Sequence, residues 1–370
     1  MLVEKQKISG PQLTFLVSAQ LMGNTLLIDP ASYAGHLGWV VSLIGGLFAI
    51  LLYWLYISLG NRFPNLSPSE YSQILYGKFL GKVLTIGHVI MFFVISMTYF
   101  IDYVAYSSVN LPETPKTVFI LGQMLVVVCA LYLGLESFAR TTFVIISFSL
   151  FSFVLSFLLA IKEMDLILLL PLATDKPKEF WQTLFTVLSY PYAQSVLILW
   201  LLPLVPDQKQ AKKGFFRGVI LGSSVVFLTS LRNVLVYGDG VKNELFPFLS
   251  VARNISIGTS ITHVEIIMSL TLNLIGFTGT TLFLYVIILT FAQVFNLRSY
   301  RSLLIPLFFT VIFVANKMPL NIGLIAWFRQ HYLRYFTLVF SFLFPIISLV
   351  RSFFLKPKPT KKSKSRILKR

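Results

Sequence analysis

Charged side chains are scarce in this sequence. Asp, Glu, Lys and Arg together make up 12% of the 370 residues, whereas hydrophobic residues make up 56%, and the mean hydropathy is +0.79. A soluble protein of this length needs more polar side chains to cover its surface. The shortage argues against a large soluble enzyme domain and predicts a membrane protein whose outer surface is covered by lipid.

Residues that ligate metals or act as nucleophiles are also few. The single cysteine, Cys129, cannot form an internal disulfide or a cysteine metal site. The four histidines show no metal-ligand spacing, and the sequence has no phosphate-binding loop or nucleophile elbow. We therefore expect no catalytic residue, no metal and no cofactor, and the chain is not predicted to be an enzyme.

Acidic residues are outnumbered by basic ones, which gives a formal net charge of +17. The basic residues form no face with interleaved aromatic side chains, so nucleic acid is not a predicted partner. They lie instead in short segments between apolar runs, and a last block occupies residues 356–370. We interpret this block as a basic cytoplasmic tail that orients the last span or contacts a partner or anionic membrane lipid.

Ten apolar runs have about the length of a membrane-spanning helix. They lie at about 11–34, 37–60, 83–110, 117–136, 139–161, 181–205, 214–237, 262–295, 300–316 and 332–355. The runs predict a single ten-span domain over residues 1–355. With the amino terminus in the cytoplasm, the inner connecting segments hold about twice as many Lys and Arg residues as the outer ones, so both termini are predicted to be cytoplasmic.

One inner segment carries its own helix signal. Ser67-Pro68-Ser69-Glu70 has the form of a capping box with proline at the first helical position. It predicts a short amphipathic helix at the cytoplasmic interface. A simple connecting turn is the alternative.

Two of the ten runs are interrupted by residues that weaken a helix. Gly23-Asn24-Thr25 lies about 12 residues into the first run, roughly 18 Å deep at the rise of an α-helix. Residues 189–194 (SYPYAQ) interrupt the sixth run at a similar depth from the opposite side, where Pro191 removes a helix hydrogen bond. The predicted substrate-binding residues are Gly23, Asn24, Thr25, Ser189, Tyr190, Tyr192, Ala193 and Gln194.

Matched interruptions in the two halves of a chain are typical of a transporter's binding site. Half-helix ends at the midplane expose N–H groups, which suit a carboxylate, and C=O groups, which suit an ammonium. An α-amino acid carries both charges. The alternative is that each interruption is an ordinary kink, because glycine and proline are common in membrane helices.

Three charged residues within spans are further candidates for function, namely Asp102, Arg232 and Glu265. All three lie toward the predicted outer ends of their spans. Arg232 is expected to pair with Asp102 or Glu265 in an outer vestibule. The alternative is that these side chains reach the membrane interface independently.

Several segments, in order along nearly the whole chain, resemble one family. They are residues 8–13 (ISGPQL), 23–30 (GNTLLIDP), 62–64 (RFP), 75–82 (LYGKFLGK), 201–203 (LLP) with Asp207, 253–258 (RNISIG) with Glu265, and 292–301 (AQVFNLRSYR). The sequence is similar to the B subunits of spore germination receptors, which belong to the amino acid–polyamine–organocation transporter superfamily.

This resemblance implies an all-α integral membrane fold of about ten transmembrane helices. Two five-span halves would form an inverted, LeuT-like repeat in which helices 1 and 6 are broken. It also implies a receptor subunit of the spore inner membrane that works with A and C subunits. The expected ligand is a small nutrient, typically an amino acid, with sugars or other nutrients implicated for some receptors.

Other features differ from the superfamily pattern or favour other functions. Residues 189–192 (SYPY) are bulkier than the usual small-residue break, and no ionisable residue occurs between Thr141 and Ala160, where proton-coupled members can carry a lysine. The missing lysine favours a sensor. An ion-coupled amino-acid or amine permease is the main alternative, with Thr278, Thr280 and Thr281 as candidate ion ligands. A non-transporting scaffold is the third.

Overall fold

The computed structural model describes residues 7–23, 25–254 and 264–354. The basic tail and Asn24 therefore lie outside the described residues. The described chain is built from helices: α1 (Gly10–Met22), α2 (Thr25–Ile28), α3 (Gly38–Arg62), α4 (Pro68–Tyr76), α5 (Lys78–Asn110), α6 (Lys116–Leu133), α7 (Leu135–Ala160), α8 (Pro177–Val187), α9 (Gln208–Tyr237), α10 (Pro247–Asn254), α11 (Val264–Val294), α12 (Leu304–Lys317), α13 (Ile322–Phe328), α14 (Arg334–Leu338) and α15 (Phe344–Phe354).

Eight helical segments in the described part of the chain are long and apolar enough to cross a membrane. They contain α3, α5, α6, α7, α9, α11, α12 and the continuous run Ile322–Phe354, which joins α13 to α15. The prediction of an all-α integral membrane protein is confirmed. The runs predicted at 11–34 and 181–205 are not among the eight, since each is divided into shorter helical pieces. A count of ten spans and an inverted repeat stay predictions.

Helix α1 lies in the centre of the bundle and packs closely against α9. A Cβ atom at Gly214 would lie 2.3 Å from the Gly10 carbonyl oxygen, so only glycine permits this approach. At the same contact the Thr14 hydroxyl donates to the Gly214 carbonyl at 3.1 Å, and the Ser18 hydroxyl donates to the Gly218 carbonyl at 3.3 Å. Small residues allow membrane helices to pack in this way. The contact fixes the position of the chain just before Gly23.

Large apolar side chains are exposed on the outer helices, as expected of a surface that faces lipid. On α12, Ile305, Phe309 and Phe313 are each more than three-fifths exposed. Cys129 is also exposed, on α6. The central α11 shows the opposite pattern, because most of its residues between Leu282 and Ala292 are buried.

The predicted short helix after the second span is present as α4, and its capping box is confirmed. The Glu70 carboxylate accepts a hydrogen bond from the Ser67 N–H at 2.9 Å. The alternative of a simple turn is therefore wrong. Much of α4 is buried, however, rather than lying along the membrane interface. It covers one end of the bundle, which is the predicted cytoplasmic end.

Helix α4 is bonded to the ends of three other segments. The Ser67 hydroxyl donates to Gln293 at the end of α11 at 3.0 Å, and the Trp200 indole N–H donates to the Ser69 hydroxyl at 3.3 Å. The Arg351 guanidinium donates to the backbone carbonyl at the end of α4 at 2.6 Å. The helix thus closes this end of the bundle.

Candidate functional site

The first interruption separates α1 from α2. Gly23 adopts φ −14° and ψ −110°, outside helical geometry, and its N–H still donates to the Ala19 carbonyl at 2.8 Å. The Gly23 carbonyl oxygen leaves the helix ladder and accepts a hydrogen bond from the Tyr103 hydroxyl at 2.9 Å. A side chain of α5 therefore compensates the carbonyl that the interruption frees.

The second interruption follows α8. Residues Leu188–Tyr192 form a wide turn in which Tyr190 has φ −143° and ψ 110°, an extended conformation. Such a conformation is expected for a residue before proline. A tighter helical segment, Ala193–Trp200, continues the chain. The backbone of this region is thus non-helical beside Pro191.

Side chains join the two interruptions. The Gln20 amide donates to the Pro191 carbonyl at 3.2 Å. The Tyr99 hydroxyl donates to the Gln194 side-chain oxygen at 2.7 Å. Because Tyr99 and Tyr103 lie one turn apart on α5, this helix contacts both interruptions. The first and sixth predicted spans therefore meet at one buried polar cluster.

The predicted residues in the described part of the chain are all buried, but they face different neighbours. Gly23, Tyr190 and Gln194 lie at the cluster, and Thr25, two residues after Gly23, is the first residue of α2. The Ser189 hydroxyl donates to the carbonyl of Thr186 in its own helix at 2.8 Å. Tyr192 packs against α3, where its hydroxyl donates to the Ser42 carbonyl at 3.4 Å, and the Ala193 carbonyl accepts from Tyr56 at 3.3 Å.

Four polar atoms near the interruptions are buried without a hydrogen-bond partner among the described residues. They are the side-chain oxygen of Gln20, the hydroxyls of Thr25 and Tyr190, and the side-chain nitrogen of Gln194. A buried unsatisfied polar group costs about 1–3 kcal/mol, so such groups are rare without a function. Together they offer acceptors and donors to a small polar ligand. Gln20 is absent from the sequence prediction, although a glutamine within an apolar run was a usable signal.

Asp102 has a different cationic partner from the one expected. Arg329 donates from Nη1 to Asp102 Oδ2 and from Nη2 to Asp102 Oδ1, the second at 3.3 Å. Both side chains are almost completely buried, at 0% exposure for Asp102 and 4% for Arg329. Sequence reasoning missed Arg329 because it placed the tenth span at 332–355, whereas the helical run begins at Ile322.

The hydrogen bonds of Arg232 go elsewhere, which corrects the expected pair with Asp102. Its guanidinium donates to the Ser156 hydroxyl and, at 2.9 Å, to the Asn233 side-chain oxygen. The Asn233 amide in turn donates to Asp29 at 2.8 Å. Arg232 and Asp29 are therefore bridged by an asparagine, and this cluster ties α9 and α7 to the segment after α2.

Glu265 lies in a third place, at the start of α11. It lines a cavity of about 370 Å³ together with Asn110, Arg253 and Ser269. The three predicted charged candidates thus belong to three separate clusters, and among them Asp102 is the one that adjoins the interruptions through its helix neighbours Tyr99 and Tyr103.

The threonines proposed as ion ligands differ in their hydrogen bonding. Thr278 and Thr281 donate to carbonyls of their own helix at 2.6 and 2.7 Å, whereas the buried Thr280 hydroxyl has no hydrogen-bond partner in the described part of the chain. No group of three or more His, Cys, Asp or Glu side chains suited to a metal occurs among the described residues.

With this geometry established, comparison with known proteins identifies the family. The spore permease family model, described as spore germination protein, matches residues 7–321. The chain belongs to this spore germination family. Spore germination protein KB of Bacillus subtilis (strain 168) is 24% identical, over 98% of each chain. Spore germination protein YndE of the same organism is 22% identical, over 68% of this chain and 70% of the relative.

Solved structures show the same fold. A substrate-bound, outward-open Na⁺-coupled sialic acid symporter has a TM-score of 0.66 at 13% identity, covering 95% of this chain and 91% of its own. MhsT in complex with L-phenylalanine has a TM-score of 0.66 at 14% identity, covering 95% and 99%. At these identities the likeness establishes the fold alone. The predicted resemblance to a transporter-like spore germination family is confirmed, and the chain is a permease-like multi-pass membrane protein.

Proposed function

We propose that this protein binds a small nutrient, such as an amino acid, between the two interruptions and acts as the ligand-recognising subunit of a germinant receptor. One observation carries the proposal, namely that buried polar atoms of Gln20, Thr25 and Gln194 around Gly23 and Pro191 have no hydrogen-bond partner within the described part of the chain. A ligand that supplied their missing hydrogen bonds would remove a cost that the protein alone bears. The two Bacillus subtilis relatives, which are named for spore germination, support the biological setting.

Signalling would follow from a shift between conformations. The residues at the interruptions are buried, so a ligand enters only when neighbouring helices move apart. A ligand shifts such an equilibrium only if it binds one conformation better than the other. We propose that A and C subunits read the resulting state from the spore inner membrane, with both termini of this chain in the cytoplasm. Impermeant thiol labelling of single cysteines introduced at Lys178 and Lys212, each in a Cys129→Ala background, tests that orientation.

The first experiment measures thermal stabilisation of the purified chain by a panel of amino acids, sugars and nucleosides. We expect at least one compound to raise the melting temperature in a concentration-dependent way. Thr25→Trp should abolish the effect, because the new ring occupies the space between the interruptions. No stabilisation across the panel, with the protein folded, would contradict the proposal.

An isosteric variant separates ligand binding from folding. Thr25→Val removes only a hydroxyl that has no hydrogen-bond partner among the described residues. It should leave the melting temperature of the free protein unchanged or higher, and weaken ligand binding by about tenfold. Thr141→Val is the matched control, because this exposed threonine donates to its own helix. Equal affinity in Thr25→Val and wild type would remove Thr25 from the site.

A further inference from the structure

The Asp102–Arg329 ion pair lies directly beside the proposed site. The Arg329 guanidinium carbon is 5.4 Å from the centroid of the Tyr190 ring, and the Tyr190 and Tyr99 rings meet edge to face at 5.7 Å. Tyr99 bonds Gln194, and Tyr103, which follows Asp102, bonds the Gly23 carbonyl. The pair thus contacts the second interruption itself, through the ring of Tyr190.

Burial makes this pair an expensive feature for a purely structural role. The cost of desolvating two charges offsets most of their attraction, so a buried ion pair contributes little to stability compared with apolar packing. Its two hydrogen bonds hold guanidinium and carboxylate in a forked arrangement. Ionisable groups inside a membrane domain that face other helices usually mark a ligand or ion pathway.

The backbone carbonyls at the interruptions are dipoles that already accept hydrogen bonds from the protein. The Gly23 carbonyl accepts from Tyr103 and the Pro191 carbonyl from Gln20. Each oxygen keeps a second lone pair, but a carbonyl dipole does not neutralise a charge. A charged ligand buried at this site is therefore stabilised further by side chains of opposite sign.

We propose that Asp102 and Arg329 recognise the two charges of a zwitterionic ligand by exchanging partners. The ligand carboxylate takes the place of Asp102 on the Arg329 fork, and the ligand ammonium takes the place of Arg329 on the Asp102 carboxylate. Each buried charge keeps a partner throughout. A simple cation or anion would break the ion pair and replace only one of its two charges, so the pair selects ligands by charge as well as by shape. This inference rests on the proposed function, since it assigns charge selectivity to that same site.

The test compares compounds that differ only in charge, using the purified full-length chain. Each set contains an amino acid, its amide and the acid that lacks the amino group: L-alanine, L-alaninamide and propionate; L-valine, L-valinamide and 3-methylbutanoate; L-phenylalanine, L-phenylalaninamide and 3-phenylpropionate. The wild-type protein should bind at least one amino acid, and bind its amide and acid weaker by about two orders of magnitude or more. Equal binding within a set overturns the inference.

Single variants should change which charge is accepted. Arg329→Gln leaves Asp102 to pair with a cation, so the amide should become the best ligand of its set. Asp102→Asn leaves Arg329 to pair with an anion, so the acid should become the best ligand. Retention of the wild-type order in either folded variant contradicts the proposal.

The double variant Asp102→Asn/Arg329→Gln guards against loss of folding, because it leaves no charge unpaired. It should keep its fold and bind the three members of a set within a few-fold of one another. The exposed pair Glu136–Arg140 provides the matched control, and Glu136→Gln/Arg140→Gln should keep the wild-type order. Stabilisation by sugars alone would overturn charge recognition and leave the proposed function intact, whereas no binding of any compound would contradict both.

Discussion

The ring of Tyr103 fits against the facing helix only because that helix has a glycine at the point of contact. A Cβ atom at Gly276 of α11 would lie 2.0 Å from the Tyr103 ring, which is far inside any permitted contact. The ring carries the hydroxyl that bonds the Gly23 carbonyl. Gly276 therefore sets the distance between α11 and the first interruption, although it makes no hydrogen bond with the site itself.

Gly276→Ala should displace the Tyr103 ring and weaken its bond to Gly23. Overpacking a dense interior costs about 1–3 kcal/mol, so we expect a lower melting temperature together with weaker ligand binding. Gly122→Ala is the matched control, because a Cβ at this helix position meets no atom within 4 Å. A Gly276→Ala protein with wild-type stability and affinity would show that Tyr103 does not position the site.

At the same scale, the sequence predicts the interruptions better than the groups around them. Gly23 and Pro191 are visible because they violate helix propensity in otherwise apolar runs. Tyr99 and Arg329 could not be assigned in this way, since their roles depend on which helices meet in space. Of the two partners expected for Arg232, Asp102 and Glu265, Asp102 is paired with Arg329 instead, because a charge in a span does not reveal its partner.

Among the elements, α4 has the most direct link between a local sequence signal and a tertiary contact. Glu70 accepts from the Ser67 N–H, and the Ser67 hydroxyl reaches Gln293 on α11. These bonds fix the first turn of α4, which closes this end of the bundle. Loss of the capping box should weaken the packing of α4 on the bundle without affecting the interruptions directly.

Glu70→Ala should lower the melting temperature by removing the capping box, a loss of about 1 kcal/mol in typical helices. The measurement is thermal unfolding monitored by circular dichroism. Glu113→Ala, in an exposed turn between α5 and α6, is the control and should have no effect. Equal stability of both variants would mean that contacts to α11 and α15 hold α4 without its cap.

The helix boundaries show where the hydrophobic pattern of the sequence predicts the ends of a span correctly and where it does not. The run predicted at 37–60 corresponds to α3, Gly38–Arg62, because no charged residue occurs in it before Arg62. The last run begins ten residues earlier than predicted, at Ile322, because Arg329 breaks the apolar pattern, whereas Arg334 lies within the predicted run. Both arginines are largely buried, and only tertiary packing makes their presence in a helix acceptable.

For the whole molecule, the question is whether ligand binding leads to transport. The fold is shared with a Na⁺-coupled sialic acid symporter, but the coupling to Na⁺ is a property of that neighbour. We expect this protein, reconstituted in vesicles, to bind a labelled ligand without accumulating it. Uptake that requires an ion gradient would favour the permease alternative, and Thr280→Val would then test its unpartnered hydroxyl as an ion ligand.

The proposed exchange at the ion pair would bring no net charge into the membrane. Asp102 and Arg329 form a buried pair of opposite charges, and a zwitterion that replaced their mutual contacts would itself be neutral. Moving one elementary charge through 100 mV is worth about 2.3 kcal/mol, but a neutral exchange experiences almost none of this. If the ligand binds as proposed, its affinity should be independent of the membrane potential, and the site should respond to nutrient concentration equally in an energised and a de-energised membrane.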